Sequence, residues 1–206
     1  MEVCIQKLIF RMLIFYGMGV FAITPLRVPM VPQPDGVTCV PTCVKMVLDY
    51  VYSGLEGTDL NLGIEEICEI VGTTKDGTNL EDVKRINSNP KIKKAIPSIE
   101  FDVNYDRHTL REIEHEIEEK HMPTIAWIKP LEANDRDLEH AVVITDISRD
   151  DYKICYNDPL FGEKQMELGK FMELWERTDR TLIKVRVGER EQRLLDEWIQ
   201  HLRECS

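Results

Sequence analysis

Four residues in this chain have the right types to share one acyl-transfer reaction: a thiol at Cys39, an amide at Gln33, an imidazole at His140 and a carboxylate at Asp158. A thiolate can attack a carbonyl carbon, an imidazole can take and return the proton, and a carboxylate can hold that imidazole in one tautomer. An amide donor and a free backbone N–H can hold the oxyanion that develops. The chemistry needs all four in one place, so the elements that carry them decide whether it is available.

The nucleophile's element is read from Val31 to Tyr50, VPQPDGVTCVPTCVKMVLDY. Pro29, Pro32 and Pro34 hold the approach extended, and Asp35-Gly36 supplies a turn. From Val40 the apolar residues Val40, Cys43, Val44, Val47, Leu48 and Val51 recur at helical spacing, which predicts a buried amphipathic helix. Thr38 suits the N-cap and Pro41 the first turn. Cys39 is thereby placed at the positive end of a helix, where a thiolate is favoured and backbone N–H groups are free. Gln33, six residues upstream, can lend a second oxyanion donor. Taken alone, Cys39 reads equally well as a small buried hydrophobe.

The second half of the site comes from far along the chain. His140 to Ile147 and Tyr152 to Asn157 read as two strands around the turn Ser148–Asp151. A hairpin centred on residue 149 puts His140 directly opposite Asp158, with Cβ atoms about 4.5–5.5 Å apart. Asp158 would then accept from Nδ1 and leave Nε2 to face the thiol. A register slip or bulge would weaken that geometry.

Composition narrows the classes. A formal net charge of -11 argues against a nucleic-acid partner, since phosphate binding needs a basic patch. Six cysteines, with one CxxxC, form neither a zinc signature nor a disulfide scaffold. Reduced thiols and a cytoplasmic setting follow as the simplest reading, and no metal or organic cofactor is called for. The apolar run from Leu8 to Ile23 is sixteen residues, short of the roughly 20 that cross a bilayer. Three readings stay open for residues 1–26: a signal or membrane anchor, which would make the protein exported or membrane-associated; a packed helix; or an over-extended start. Residues 27–187 read as one α+β domain and 188–206 as a terminal amphipathic helix, packed on the domain or on a second copy.

Between these landmarks a polar loop is expected from Ser53 to Asn61. A helix follows over Gly63–Val71, with Ile64, Ile67, Cys68 and Val71 inward, and another over Leu80–Ile86, capped by Asn79. Ile99–Val103 alternates as a strand. Thr109–Lys120 is an acidic helix burying Leu110, Ile113 and Ile117, with its glutamates outward. Pro123–Lys129 is a strand, Leu131–Glu139 a charged loop, Leu168–Arg177 a helix and Thr181–Val187 a strand. Trp127, Trp175 and Trp198 read as packing residues.

VPQPDGVTCVPTCVKMVLDY, IEEICEIVGTTKDGTNLEDV, REIEHEIEEKHMPTIAWI, HAVVITDI, YNDPLFGE and ELGKFMELWERTDRTLIKV occur in the order seen in a known family. Over about Arg27 to Val187 the chain resembles the bacteriocin-processing (double-glycine leader) cysteine peptidases, in the stand-alone branch of papain-like domains. The resemblance implies an α+β papain-like fold, the nucleophile helix packed on an antiparallel sheet, and a peptide or protein substrate. By position Cys39 matches the nucleophile, Gln33 the oxyanion glutamine, His140 the base and Asp158 its orienter. Where the family usually has glycine after the nucleophile, this chain has Val40; Cys43 reads as core or as a redox partner. The expected activity is thiol-dependent hydrolysis of peptide or amide bonds. A silent binding module and an amidase or acyltransferase are the alternatives on the same fold.

Overall fold

The computed structural model describes residues 25–56, 60–130 and 139–205. The apolar stripe that opens at Val40 forms helix α1 (Cys39–Glu56). Val40, Cys43, Val44, Val47, Leu48 and Val51 are each 1% exposed or less. Burying each such side chain contributes about 1.5–3 kcal/mol for the larger aliphatics, so this one face anchors the helix in the core.

Helix α2 (Ile64–Val71), a 3-10 helix (Leu80–Ser88) and helix α3 (Pro90–Ala95) follow. The chain then enters strand β1 (Glu100–Asn104) and helix α4 (Leu110–Glu114), which continues as a π-helical turn over His115–Glu119. Strands β2 (Thr124–Ile128), β3 (His140–Ser148), β4 (Lys153–Asp158) and β5 (Gly162–Glu167) come next. Helix α5 (Leu168–Glu176), strand β6 (Leu182–Arg186) and helix α6 (Glu189–Glu204) complete the order. The six strands make one antiparallel sheet in the order β1-β6-β2-β3-β4-β5. Helix α1 lies on β3, and α5 packs against β2, β4 and β5. The fold is therefore α+β, with the helix that opens on Cys39 laid on an antiparallel sheet, as the family resemblance implied.

Several elements depart from expectation for physical reasons. The loop expected from Ser53 begins late, because α1 runs on to Glu56. Gly54 sits inside the helix where α6 passes close. A Cβ there would come within 2.6 Å of Leu195 Cδ1. The terminal helix thus packs on its own domain, with the Trp198 ring 5.6 Å from Tyr50 and nearly perpendicular to it. Cys68 is only half-buried; Ile67 and Val71 are the residues α2 buries.

Glu116 is 3% exposed, contrary to an all-outward set of glutamates. The wide turn after α4, where Lys120 N–H bonds the His115 carbonyl, shifts the helix face and carries Glu116 inward onto Lys120 at 2.9 Å. Helix α3 was missed, although Asn89 caps it through Lys91 and Ile92 N–H and Pro90 opens it. Strand β5 was missed because GEKQME has no apolar alternation; it is an exposed edge strand. The apolar run 8–23 and the loop residues 131–138 lie outside the described residues. Among the described residues no helix is long and apolar enough to cross a membrane.

Candidate active site

Cys39 is the first residue of α1 and 8% exposed. Thr38 precedes it and its carbonyl accepts the first helical bond, from Thr42 N–H at 3.1 Å. The approach is shaped by Asp35, whose Oδ1 accepts from Val37 N–H and from the Thr38 hydroxyl, each at 2.9 Å. Those two bonds hold the Asp35 carboxyl below its usual range. Val40 is 1% exposed, so the side chain that replaces the family's glycine is packed in the core.

Strand β3 delivers His140 at its first residue, and β4 delivers Asp158 at its last. They do not lie directly opposite. Val143 pairs with Asn157, so continuing the register one residue sets Asp158 beside Val142, two residues from His140 on the same face. The hairpin turns over residues 149–152, later than assumed, and a bulge between Ile144 and Asp146 returns only part of the offset. Same-face diagonal neighbours remain within reach of long side chains. The contact forms: His140 Nε2 lies 2.8 Å from Asp158 Oδ1. This reverses the expected ring assignment, since Nε2 faces the carboxylate and Nδ1 is left for the thiol. The Cys39 thiol stands beside the ring and favours its charged form.

Burial opposes charging His140, but the bonds and charges of Asp158 and Cys39 outweigh it and raise the ring from 6.5 to about 9. Burial likewise opposes ionising Asp158. The His140 bond and charge, with Leu160 and Phe161 N–H, override it and leave the carboxyl below 3.8. Asp158 Oδ1 accepts from Leu160 N–H at 2.9 Å and from Phe161 N–H at 3.2 Å as well as from the ring. These two turn amides were not foreseen; the only sequence signal was the Asp-Pro pair that opens the turn.

Gln33 is tied to the same turn by its backbone, its N–H reaching the Pro159 carbonyl at 2.8 Å. One amide hydrogen of its side chain goes to the Asp35 carbonyl, and Oε1 is buried with no hydrogen-bond partner. A primary amide has two N–H donors, so one donor remains uncommitted. Cys43, one turn along α1, is fully buried. Burial, with the nearby Cys39 and Asp158 charges, pushes its thiol well above the ordinary range, so it packs as a neutral core residue. Cys39 and Cys43 are both free thiols. Among the described residues no cluster of His, Cys, Asp and Glu is arranged to hold a metal ion.

A buried helix that opens on a cysteine, laid on an antiparallel sheet that presents a histidine and an aspartate, is the fold of papain-like cysteine peptidase domains. The chain belongs to the Peptidase_C39 like family, which matches residues 25–183. Its fold is similar to the double-glycine-motif protease of an AMS/PCAT transporter, solved in complex with the leader peptide. The TM-score there is 0.54 at 16% identity, covering 81% of this chain and 96% of that one. The peptidase domain of Streptococcus ComA, a bifunctional ABC transporter involved in quorum sensing, gives 0.54 at 18%, covering 79% and 100%. A C39-like peptidase from Bacillus anthracis gives 0.56 at 13%, covering 80% and 100%. No curated protein matches the chain. Family and fold together make the protein cysteine-peptidase-like.

Proposed function

We propose that this protein hydrolyses peptide or amide bonds through an acyl-enzyme on Cys39. The observation that carries the reading is His140 set between Asp158, which it bonds at 2.8 Å, and the Cys39 thiol, which favours the charged ring. The Cys39 sulfur, its proton held on His140, attacks the carbonyl carbon. The resulting oxyanion is received by the Cys39 backbone N–H and the uncommitted Gln33 amide hydrogen. His140 then protonates the leaving amine as the tetrahedral intermediate collapses to a thioester. Next His140 takes a proton from water, the hydroxide adds to the thioester carbonyl, and collapse releases the carboxylic acid and the Cys39 thiolate beside the imidazolium. Asp158 stays ionised throughout and keeps Nε2 occupied, so Nδ1 faces the reacting groups. A peptide substrate is further supported by the leader peptide bound to one structural relative.

The test is a screen of internally quenched peptides and simple amides against wild type and Cys39→Ala, with mass spectrometry of trapped thioester. Cleavage that depends on Cys39, with the acyl mass found on that residue, is the expected result. Transfer of the acyl group to an added amine in place of water would reassign the second half-reaction to acyl transfer. A wild type that leaves every compound intact would make the fold a binding module.

A further inference from the structure

Four large hydrophobic residues are at least half exposed among the described residues: Tyr105, Tyr152, Leu160 and Phe161. The tyrosines carry hydroxyls that suit a wet surface, but Leu160 and Phe161 are wholly apolar, adjacent, and 54% and 66% exposed. They form the turn between β4 and β5, immediately after Asp158. We propose that this pair is a specificity lip, which takes a bulky apolar side chain of the peptide substrate close to the cleaved bond. The inference rests on the peptidase reading above and names the side chain that the reading leaves open.

The turn is built as a fixed surface. Leu160 and Phe161 N–H both bond Asp158 Oδ1, and Phe161 N–H also reaches the Asp158 carbonyl at 3.2 Å. The Pro159 carbonyl is held by Gln33 N–H. Gly162 closes the turn at φ +81, a conformation that L side chains rarely adopt. The Lys164 ammonium lies 5.8 Å from the centre of the Phe161 ring and braces it. The oxygen that anchors the turn is the one that binds His140, so two hydrogen bonds join the lip to the ring that stands beside the reacting sulfur. An extended peptide advances about 3.3 Å per residue, which places the selected side chain within about three residues of the scissile carbonyl. Residues that only screened the His140–Asp158 bond would be buried over it; these two face solvent. Ordering costs little at a turn already pinned, so covering this apolar surface favours binding.

The experiment measures kcat/KM for internally quenched peptides in which each of four positions on either side of the cleaved bond is Leu or Ala. Wild type, Phe161→Ala, Leu160→Ala and Phe161→Leu are compared, and iodoacetamide alkylation of Cys39 reports whether the thiol and imidazole remain in place. Wild type should prefer Leu at one position, Phe161→Ala should cut that preference by about tenfold or more, and Phe161→Leu should restore most of it. Cleavage with no positional preference in wild type, or a Leu preference untouched in both alanine variants, overturns the lip while leaving the peptidase reading intact. Absence of any Cys39-dependent cleavage overturns both.

Discussion

Two histidines in this protein, one half-buried and one buried, each bond a carboxylate and differ in the rest of their company. His140 bonds Asp158 at 2.8 Å and His108 bonds Glu112 at 2.9 Å. At His140 the third group is a thiol at the start of a helix, near enough to favour the charged ring. At His108, 3% exposed, the third group is Lys184, which binds the same Glu112 oxygen at 2.9 Å, and the histidine's Nε2 is buried without a hydrogen-bond partner. Burial works against the Glu112 charge, yet bonds from Lys184, His108 and Thr109 hold it at about 2. The second cluster is a structural tie between α4 and β6, and it has nothing for the ring to activate. An imidazole–carboxylate pair is therefore not a site by itself; what sets His140 apart is the thiol beside it.

Substitutions sharpen the contrast. Cys39→Ala and His140→Ala should each abolish peptide cleavage, since groups that act as one unit lose nearly everything singly. Far-ultraviolet circular dichroism would check that both still fold. Gln33→Ala should lower kcat about 10²–10³-fold, the usual cost of one oxyanion donor. Turnover equal to wild type would remove Gln33 from the mechanism.

Asp158→Asn should act through pH. The charge of Asp158 helps keep His140 protonated to about pH 9, so the alkaline limb of kcat/KM should fall from near 9 toward the ordinary imidazole value. Stability carries the same signature. The raised imidazole contributes fully below about pH 6.5 and loses its contribution as pH rises through about 9. The lowered Asp158 contributes above its ordinary 3.8 and loses that as pH falls. Thermal melts of wild type minus Asp158→Asn across this range would read both edges.

His108→Ala is the mirror case: cleavage by folded enzyme should stay within about twofold, while unfolding free energy drops by about 1–3 kcal/mol for a buried hydrogen-bonded group lost. Cys43→Ala should have the smallest effect on activity, because a neutral core thiol takes no part in the chemistry.

How much of this was legible follows from which contacts are local. The start of α1 was readable because one helix face repeats from Val40 to Val51 and the Asp35–Thr38 turn is written in adjacent residues. His140 and Asp158 could be nominated by type, but their register depended on the bulge between Ile144 and Asp146, which no apolar pattern announces. The expectation of directly opposed residues failed because the hairpin turns late, over residues 149–152, an offset that the bulge returns only in part; the ring nitrogens came out exchanged. Strand β5 was hidden because an edge strand of charged residues carries no alternation. The loop expected from Ser53 gave way to helix because what packs on that turn, Leu195 beside Gly54, lies far along the chain.

The central claim is that His140 is held between thiol and carboxylate as an imidazolium across the neutral range. Nuclear magnetic resonance titration of histidine-labelled protein, with the His140 signal assigned by its loss in His140→Gln, measures this directly. The account requires the ring to titrate near pH 9 in wild type and to drop toward 6.5 in Asp158→Asn. A wild-type ring that titrates near 6.5 and does not respond to Asp158→Asn would contradict it.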